Sequence, residues 1–153
     1  MTIRKVLFLC TGNSARSQMA EGLVNHFLKD RWQAFSAGVQ PADRVHPLAI
    51  QVLQELNIDI RKNSPKSLQR YRYENFDLVI TVCDQAAQQC PAWLGRGQLV
   101  HLGFPDPALY AGSEEECLNF FRGVREALRL RILPFLETWE PTPNNPILGI
   151  VPR

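Results

Sequence analysis

Net charge is almost absent from this 153-residue sequence, in which 17 Lys and Arg stand against 15 Asp and Glu. A balance of +2 excludes the broad basic surface by which proteins hold nucleic acid or anionic membrane, so any positive potential of consequence must be local. Long apolar runs are missing too. Val6 to Cys10 is too brief for a signal-peptide core, and no stretch approaches a membrane span. The expected compartment is the cytoplasm, with neither nucleic acid nor membrane as partner. Histidine is scarce and scattered, at His26, His46 and His101, and the cysteines, Cys10, Cys83, Cys90 and Cys117, show no C-x2-4-C spacing, so no zinc site is expected. A permanent disulfide framework is disfavoured as well, because cytoplasmic thiols are kept reduced. There is no internal repeat, and low complexity is confined to the closing EPTPNNPILGIVPR, whose four prolines suit an extended tail.

What is present is the composition of a soluble fold, 45% hydrophobic and 21% charged, in a length that fits one domain. We place the domain at residues 1–137 and the tail at 138–153. Lys5 to Leu9 reads as a short buried strand, and the helix after it carries Met19, Leu23 and Phe27 on its apolar face, beside Ala20 and Val24. Ala34 to Ala37 is a second strand, closed by Gly38. HPLAIQVLQEL opens a second helix with Pro47 in its first turn, where the missing N–H costs little. Phe76 to Val82, apolar and β-branched, has the pattern of a strand covered on both sides, and it ends at Cys83. Gln98 to Leu102 is the fourth strand. From Ser113 the capping signature SEEE starts a long helix with the stripe Leu118, Phe121, Val124, Leu128 and Ile132, which Pro134 should end or kink. Alternating strands and helices predict an α/β fold, a single-domain open four-stranded parallel sheet with helices on both faces. Ligands of such sheets bind beyond the carboxyl ends of the strands, where Cys10, Cys83 and the Asp106 loop should meet.

The loop CTGNSAR between the first strand and helix has the makings of an oxyanion cradle. Backbone N–H groups of Thr11, Gly12, Asn13, Ser14, Ala15 and Arg16 can point at a tetrahedral anion together with the helix N-terminus, and the same field favours thiolate at Cys10. Arg16 offers a planar fork for two anion oxygens. Gly12 permits close backbone approach, Ser17 can donate to the sulfur, and the Asn13 side chain can brace the loop. Spacing alone leaves open a plainer role for Cys10 as a buried apolar side chain at a strand end. Asp106, fixed between Pro105 and Pro107, is either the proton donor for a departing oxygen or an ordinary turn aspartate. Cys83 and Cys90 are either buried thiols or an exchanging pair. Cys117 reads as structural.

Taken together, CTGNSARSQMAEG, SAG, DLVITVCDQAAQQCP, GFPDPA and GSEEE resemble the arsenate reductases built on the low-molecular-weight protein tyrosine phosphatase fold, over Lys5 to Leu136. The cradle is common to reductases and phosphatases. Gln18 in place of a proline, Ala108 in place of an aromatic after Asp-Pro, and the pair Cys83 and Cys90 lean towards reduction. The resemblance implies a relay: Cys10 attacks arsenate held by Arg16, Asp106 protonates the leaving oxygen, and Cys83 and then Cys90 carry a disulfide to thioredoxin or a similar dithiol protein. No cofactor is expected to be tightly bound. Some members hold potassium through residues matching Asn13, Glu21 and Ser36 and an acidic side chain. Here Lys66 occupies the acidic position, either replacing the ion or simply solvated. The alternative implied activity is hydrolysis of phosphomonoesters through a phosphocysteine at Cys10, and Tyr110, four residues beyond Asp106, could flank an aryl phosphate. A non-catalytic oxyanion-binding or redox-sensing module is disfavoured, because binding alone requires neither nucleophile nor proton donor.

Overall fold

A computed structural model of the chain describes residues 2–82 and 95–141. Its elements in chain order are β1 (Arg4–Cys10), α1 (Arg16–Phe27), β2 (Trp32–Gly38), α2 (Pro47–Gln54), β3 (Asn75–Thr81), β4 (Arg96–His101) and α3 (Glu114–Thr138), with short 3-10 turns at Leu68–Tyr71 and Pro107–Leu109. The four strands form one parallel sheet in the order β2-β1-β3-β4. This is the open α/β arrangement expected from the alternation of elements.

The central strands are apolar because both their faces are covered. Val6, Leu7, Phe8 and Leu9 are all fully buried. Val6 and Phe8 face α1, α2 and α3, whose contributions include Met19, Leu23, Val52, Leu53, Leu128 and Ile132. Leu7 and Leu9 face the opposite side with Ala37 and Val79, where the 3-10 turn supplies Leu68 and Tyr71. Phe76 joins this second cluster, edge-on to Phe35 and Tyr71 with ring centroids 5.6 and 5.8 Å away. Its parity would put it with Leu78 on the first face. The pairing with β4 shifts between Asn75 and Leu78, and this irregularity re-aims the side chain. Gly97 lies opposite, with φ of 124°, and a Cβ there would come within 2.8 Å of the Phe76 carbonyl.

Helix ends follow the local chemistry. His46 Nδ1 accepts from Leu48 N–H at 3.1 Å to cap α2 ahead of Pro47. Asn57, at φ 62°, turns the chain beyond that helix so that Ile58 N–H reaches the Leu53 carbonyl at 3.0 Å. Ser113 and Glu116 make the reciprocal capping box of α3, with bonds of 3.1 and 2.9 Å. Two expectations need correction. Phe27 is 45% exposed, because Val24 and Leu28 take the inward positions at the end of α1. Of the two effects expected of Pro134, ending the helix does not occur, since α3 continues to Thr138. The carbonyl that loses its partner to the proline belongs to Leu130, which is 65% exposed, so water can serve it while Ile132 and Leu136 keep the helix on the core.

The carboxyl end of α3 is clasped by the opposite edge of the sheet. Trp32 Nε1 donates to the Leu136 carbonyl at 3.1 Å, Arg31 to Glu137 at 2.8 Å and Arg4 to Trp139 at 2.8 Å. The Trp139 ring packs edge-on to Trp32, centroids 5.7 Å apart. Among the described residues no helix is long and apolar enough to cross a membrane.

If Pro134 is tolerated at a solvent-side cost, Pro134→Ala should stabilise the domain by about 1 to 3 kcal/mol. Urea unfolding of the two proteins would show it as a higher midpoint with an unchanged slope, and an equal or lower midpoint would contradict this account.

Candidate active site

Strand β1 ends at Cys10 beside β2 and β3, where successive connections leave in opposite directions, the usual position of a site in an open α/β sheet. The loop from Thr11 to Ala15 is shaped by its carbonyls. Those of Cys10, Thr11, Gly12 and Ser14 accept from the amides of Val39, Gln40, Ala42 and His46 at 3.2, 2.9, 2.9 and 2.9 Å, and Ser14 Oγ donates to the Arg44 carbonyl at 3.0 Å. In a trans peptide C=O and N–H point in opposite directions, so turning the carbonyls outward turns the following amides inward. The result is visible at Asn13, whose N–H donates to Cys10 Sγ at 3.2 Å. Ala15, at the N-cap of α1, has no side-chain acceptor to offer the first-turn amides, which leaves them to a ligand in the loop.

Ser17 and the Asn13 amide both lie against the Cys10 sulfur. Ser17 Oγ is 2.8 Å from Cys10 Sγ, and Asn13 Nδ2 donates to Ser17 Oγ at 2.7 Å. Asn13 has φ of 52° and is fully buried, so its side chain must be satisfied internally. Its Oδ1 accepts from Lys66 N–H at 2.9 Å and from Gln18 Nε2 at 3.1 Å. Gln18 also donates to the Ser64 carbonyl at 3.1 Å and accepts from Asn63 Nδ2 at 3.2 Å. Beyond it, Ser36 Oγ donates to Glu21 Oε1 at 2.6 Å, and Lys66 Nζ lies 4.0 Å from the same oxygen. Burial holds the Glu21 carboxyl above its usual range despite Ser36 and Lys66. Burial likewise pulls the Lys66 ammonium below its own, with Glu21 opposing.

Gly12 is not where the chain comes closest. A Cβ there would meet only Ala42 Cβ, Gln40 O and Ser14 Cβ, at 3.8 to 3.9 Å, whereas one at Gly38 would lie 2.6 Å from the Thr11 carbonyl and 2.9 Å from Asn13 N. Gly38, read from sequence only as the end of a strand, is therefore the residue against which the cradle is pressed.

Arg16 and Asp106 meet across the sheet edge. Arg16 Nη2 is 3.2 Å from Asp106 Oδ2, and Nη1 donates to the Phe104 carbonyl at 3.2 Å. The arginine side chain is 9% exposed and the aspartate 28%. Asp106 Oδ1 accepts from Ala108 N–H at 3.0 Å, which starts the 3-10 turn. The Asp106 loop is itself held by α3: Arg131 Nη1 donates to the Gly103 carbonyl at 3.0 Å and its guanidinium lies 4.7 Å from the Phe104 ring centroid.

Cys83 and Cys90 lie outside the described residues. The chain before them runs to Val82, whose N–H donates to the Leu9 carbonyl at 2.9 Å, next to Cys10. Cys117 is half-buried, with Sγ 3.7 and 3.6 Å from the Tyr110 and Gly112 carbonyls. His46, which carried no signal beyond being an isolated histidine, lines a cavity of about 670 Å³ together with Leu48, Pro107, Tyr110 and Phe121. Its ring packs on Phe121 at 4.7 Å, and burial lowers its basicity against the opposing charge of Asp106.

Residues 5–140 match the family model described as low molecular weight phosphotyrosine protein phosphatase. An arsenate reductase of Halalkalibacterium halodurans is 42% identical over 138 residues, covering 90% of this chain and 99% of that one. The arsenate reductase of Bacillus subtilis is 41% identical over 133 residues, 87% and 95% of the two chains. Among solved structures, an arsenate reductase in the phosphate-binding state superposes with a TM-score of 0.72 at 27% identity, covering 90% of this chain and all of that one.

The contacts at Gly38 lead to a direct test of the cradle. Gly38→Ala should push the Thr11–Asn13 backbone out of place and weaken binding of inorganic phosphate by roughly tenfold or more while the far-ultraviolet circular dichroism is kept. Calorimetric titration would measure it, and unaltered affinity would mean that the loop is not the anion site.

Proposed function

The chain belongs to the low-molecular-weight phosphotyrosine protein phosphatase family, and we propose that within it this chain is an arsenate reductase. The observation that carries this choice is near full-length identity of about two residues in five to relatives described as arsenate reductases. The site geometry is consistent with the chemistry required. An oxyanion in the loop would face inward amides, the first turn of α1 and the Arg16 guanidinium. The Asn13 N–H and Ser17 hydroxyl can stabilise negative charge on Cys10 sulfur.

In the proposed reaction, Cys10 thiolate attacks arsenic and one arsenate oxygen departs as water. Asp106, 3.2 Å from Arg16, stands where it can hand the leaving oxygen the proton it needs. Cys83 thiolate then attacks the Cys10 sulfur. A Cys10–Cys83 disulfide forms, the electron pair of the sulfur–arsenic bond passes to arsenic, and arsenite leaves. Cys90 thiolate next attacks Cys83, releasing Cys10 as thiolate, and the Cys83–Cys90 disulfide is reduced by an external dithiol protein such as thioredoxin, which a reducing cytoplasm supplies. No tightly bound cofactor enters this scheme.

One observation favours hydrolysis of phosphomonoesters as a second activity. A cavity of about 670 Å³, lined by His46, Leu48, Tyr110 and Phe121, adjoins Pro107 and Ala108 in the loop that carries Asp106, and an organic group of a phosphomonoester would have to reach it from the cradle. Tyr110 lies parallel to Phe120 with centroids 4.6 Å apart, giving that cavity a fixed aromatic wall.

Arsenate-dependent NADPH oxidation with thioredoxin and thioredoxin reductase discriminates the readings. Cys83→Ser and Cys90→Ser should both lose multiple turnover and keep hydrolysis of an aryl phosphate; undiminished turnover in Cys90→Ser would rule out the three-thiol relay in favour of a glutathione or glutaredoxin route. Asp106→Asn should lower the rate of the first step by about 10² to 10⁴-fold with phosphate affinity retained, since Arg16 gains freedom to hold the anion. A rate unchanged by that substitution would remove Asp106 from the mechanism.

A further inference from the structure

Behind the cradle, on the side away from Arg16, a lysine occupies the place where related chains would hold a cation. Potassium bound through Asn13, Glu21 and Ser36 does not fit the groups as they stand. Asn13 Oδ1 already accepts two hydrogen bonds, from Lys66 N–H at 2.9 Å and Gln18 Nε2 at 3.1 Å. The Ser36 hydroxyl donates its hydrogen bond to Glu21 Oε1. Lys66 Nζ stands 4.0 Å from that oxygen and donates to the Ser64 carbonyl at 3.0 Å, with the lysine and glutamate side chains only 13% and 16% exposed. A further cation would have to share one carboxylate with an ammonium a few ångströms away.

We propose that the Lys66 ammonium is a built-in counter-ion to Glu21, so that the cradle binds its oxyanion without potassium or any other monovalent cation. The need for a counter-ion follows from position. Glu21 lies one helical turn beyond Ser17, whose hydroxyl touches the Cys10 sulfur, so an uncompensated carboxylate would set its charge against both thiolate and oxyanion. The lysine is also stitched into the loops it serves. Its N–H holds Asn13 and its carbonyl accepts from Gly38 N–H at 2.8 Å, and these are the two residues pressed together to shape the cradle. Lys66 is thus a positioning residue: its ammonium acts on the anion through Glu21, while its backbone holds Asn13 and Gly38. On the far side of Glu21 a cavity of about 260 Å³, lined by Asn25, Asp59 and Asn63 among others, gives ions from solvent a path to the carboxylate. If the ammonium is removed, a small monovalent cation can take its place by that route.

The inference rests on the oxyanion cradle and not on arsenate as substrate, and inorganic phosphate binding tests it without turnover. Phosphate affinity and thermal midpoint are measured for the full chain in potassium chloride and in tetramethylammonium chloride of equal ionic strength. Wild type should give the same values in both salts. Lys66→Met in tetramethylammonium should bind phosphate on the order of tenfold more weakly and unfold roughly 4 °C lower or more, and potassium should restore most of both losses. The double variant Lys66→Met/Glu21→Gln, with neither charge, should recover the thermal midpoint and ignore potassium. The proposal is overturned by a potassium response in wild type, by Lys66→Met matching wild type in tetramethylammonium, or by losses that potassium leaves in place. It is equally overturned by a double variant as unstable as the single one, which would assign Lys66 to packing.

Discussion

The active edge of this sheet depends on one peptide group, the unit joining Gly12 to Asn13. Its carbonyl is drawn outward to the Ala42 amide and its N–H is thereby aimed at the Cys10 sulfur. Asn13 must adopt a left-handed conformation to allow this, which costs a non-glycine residue energy. The surrounding bonds repay it: the buried Asn13 side chain is held by Ser17, Gln18 and Lys66. Asparagine is well suited here, since its short amide both tolerates that conformation and supplies donors and an acceptor at once.

That dependence explains how polar groups come to fill the space behind Cys10. Ser17, Gln18, Ser36 and Asn13 are all fully buried, and each has a partner within 3.2 Å. Such a network is rigid when complete and costly when any member is left unpaired. The inner end of α1 accordingly departs from an ordinary amphipathic pattern, beginning with Arg16, Ser17 and Gln18 buried before the apolar stripe of Met19, Leu23 and Val24 takes over.

Much of this was legible in the sequence. The runs VLFL and DLVIT announce strands covered on both faces, the SEEE signature marks the start of α3, and the cysteine-to-arginine loop offers a candidate oxyanion cradle. Pro134 does not end the helix because a proline's cost depends on whether the carbonyl it orphans faces water, and the exposed Leu130 position allows that. Phe27 misled because one helical turn of drift moves a residue off the buried face. At the site, the unreadable parts are those whose partners are backbone. The carbonyls held by Val39 to His46, and the Phe104 carbonyl that receives Arg16, carry no side-chain signature, so no residue type announces them. Gly38 was visible as a glycine but not as a contact, because closeness to Thr11 and Asn13 exists only once β1 and β2 are paired.

The clasp at the end of α3 bears on the order in which the molecule can be assembled. The bonds that shape the cysteine loop join residues between 10 and 66, so the ribosome has delivered all their partners before β3, β4 and α3 are made. The clasp joins residues 4, 31 and 32 to carbonyls at 136 to 139, across separations of 104 to 135 positions. Such distant closure is slow to find and must wait for the last turn of α3 to emerge. The cysteine loop can therefore take shape early, whereas the clasp on the edge strand β2 and the start of β1 waits until residues 136 to 139 have been made.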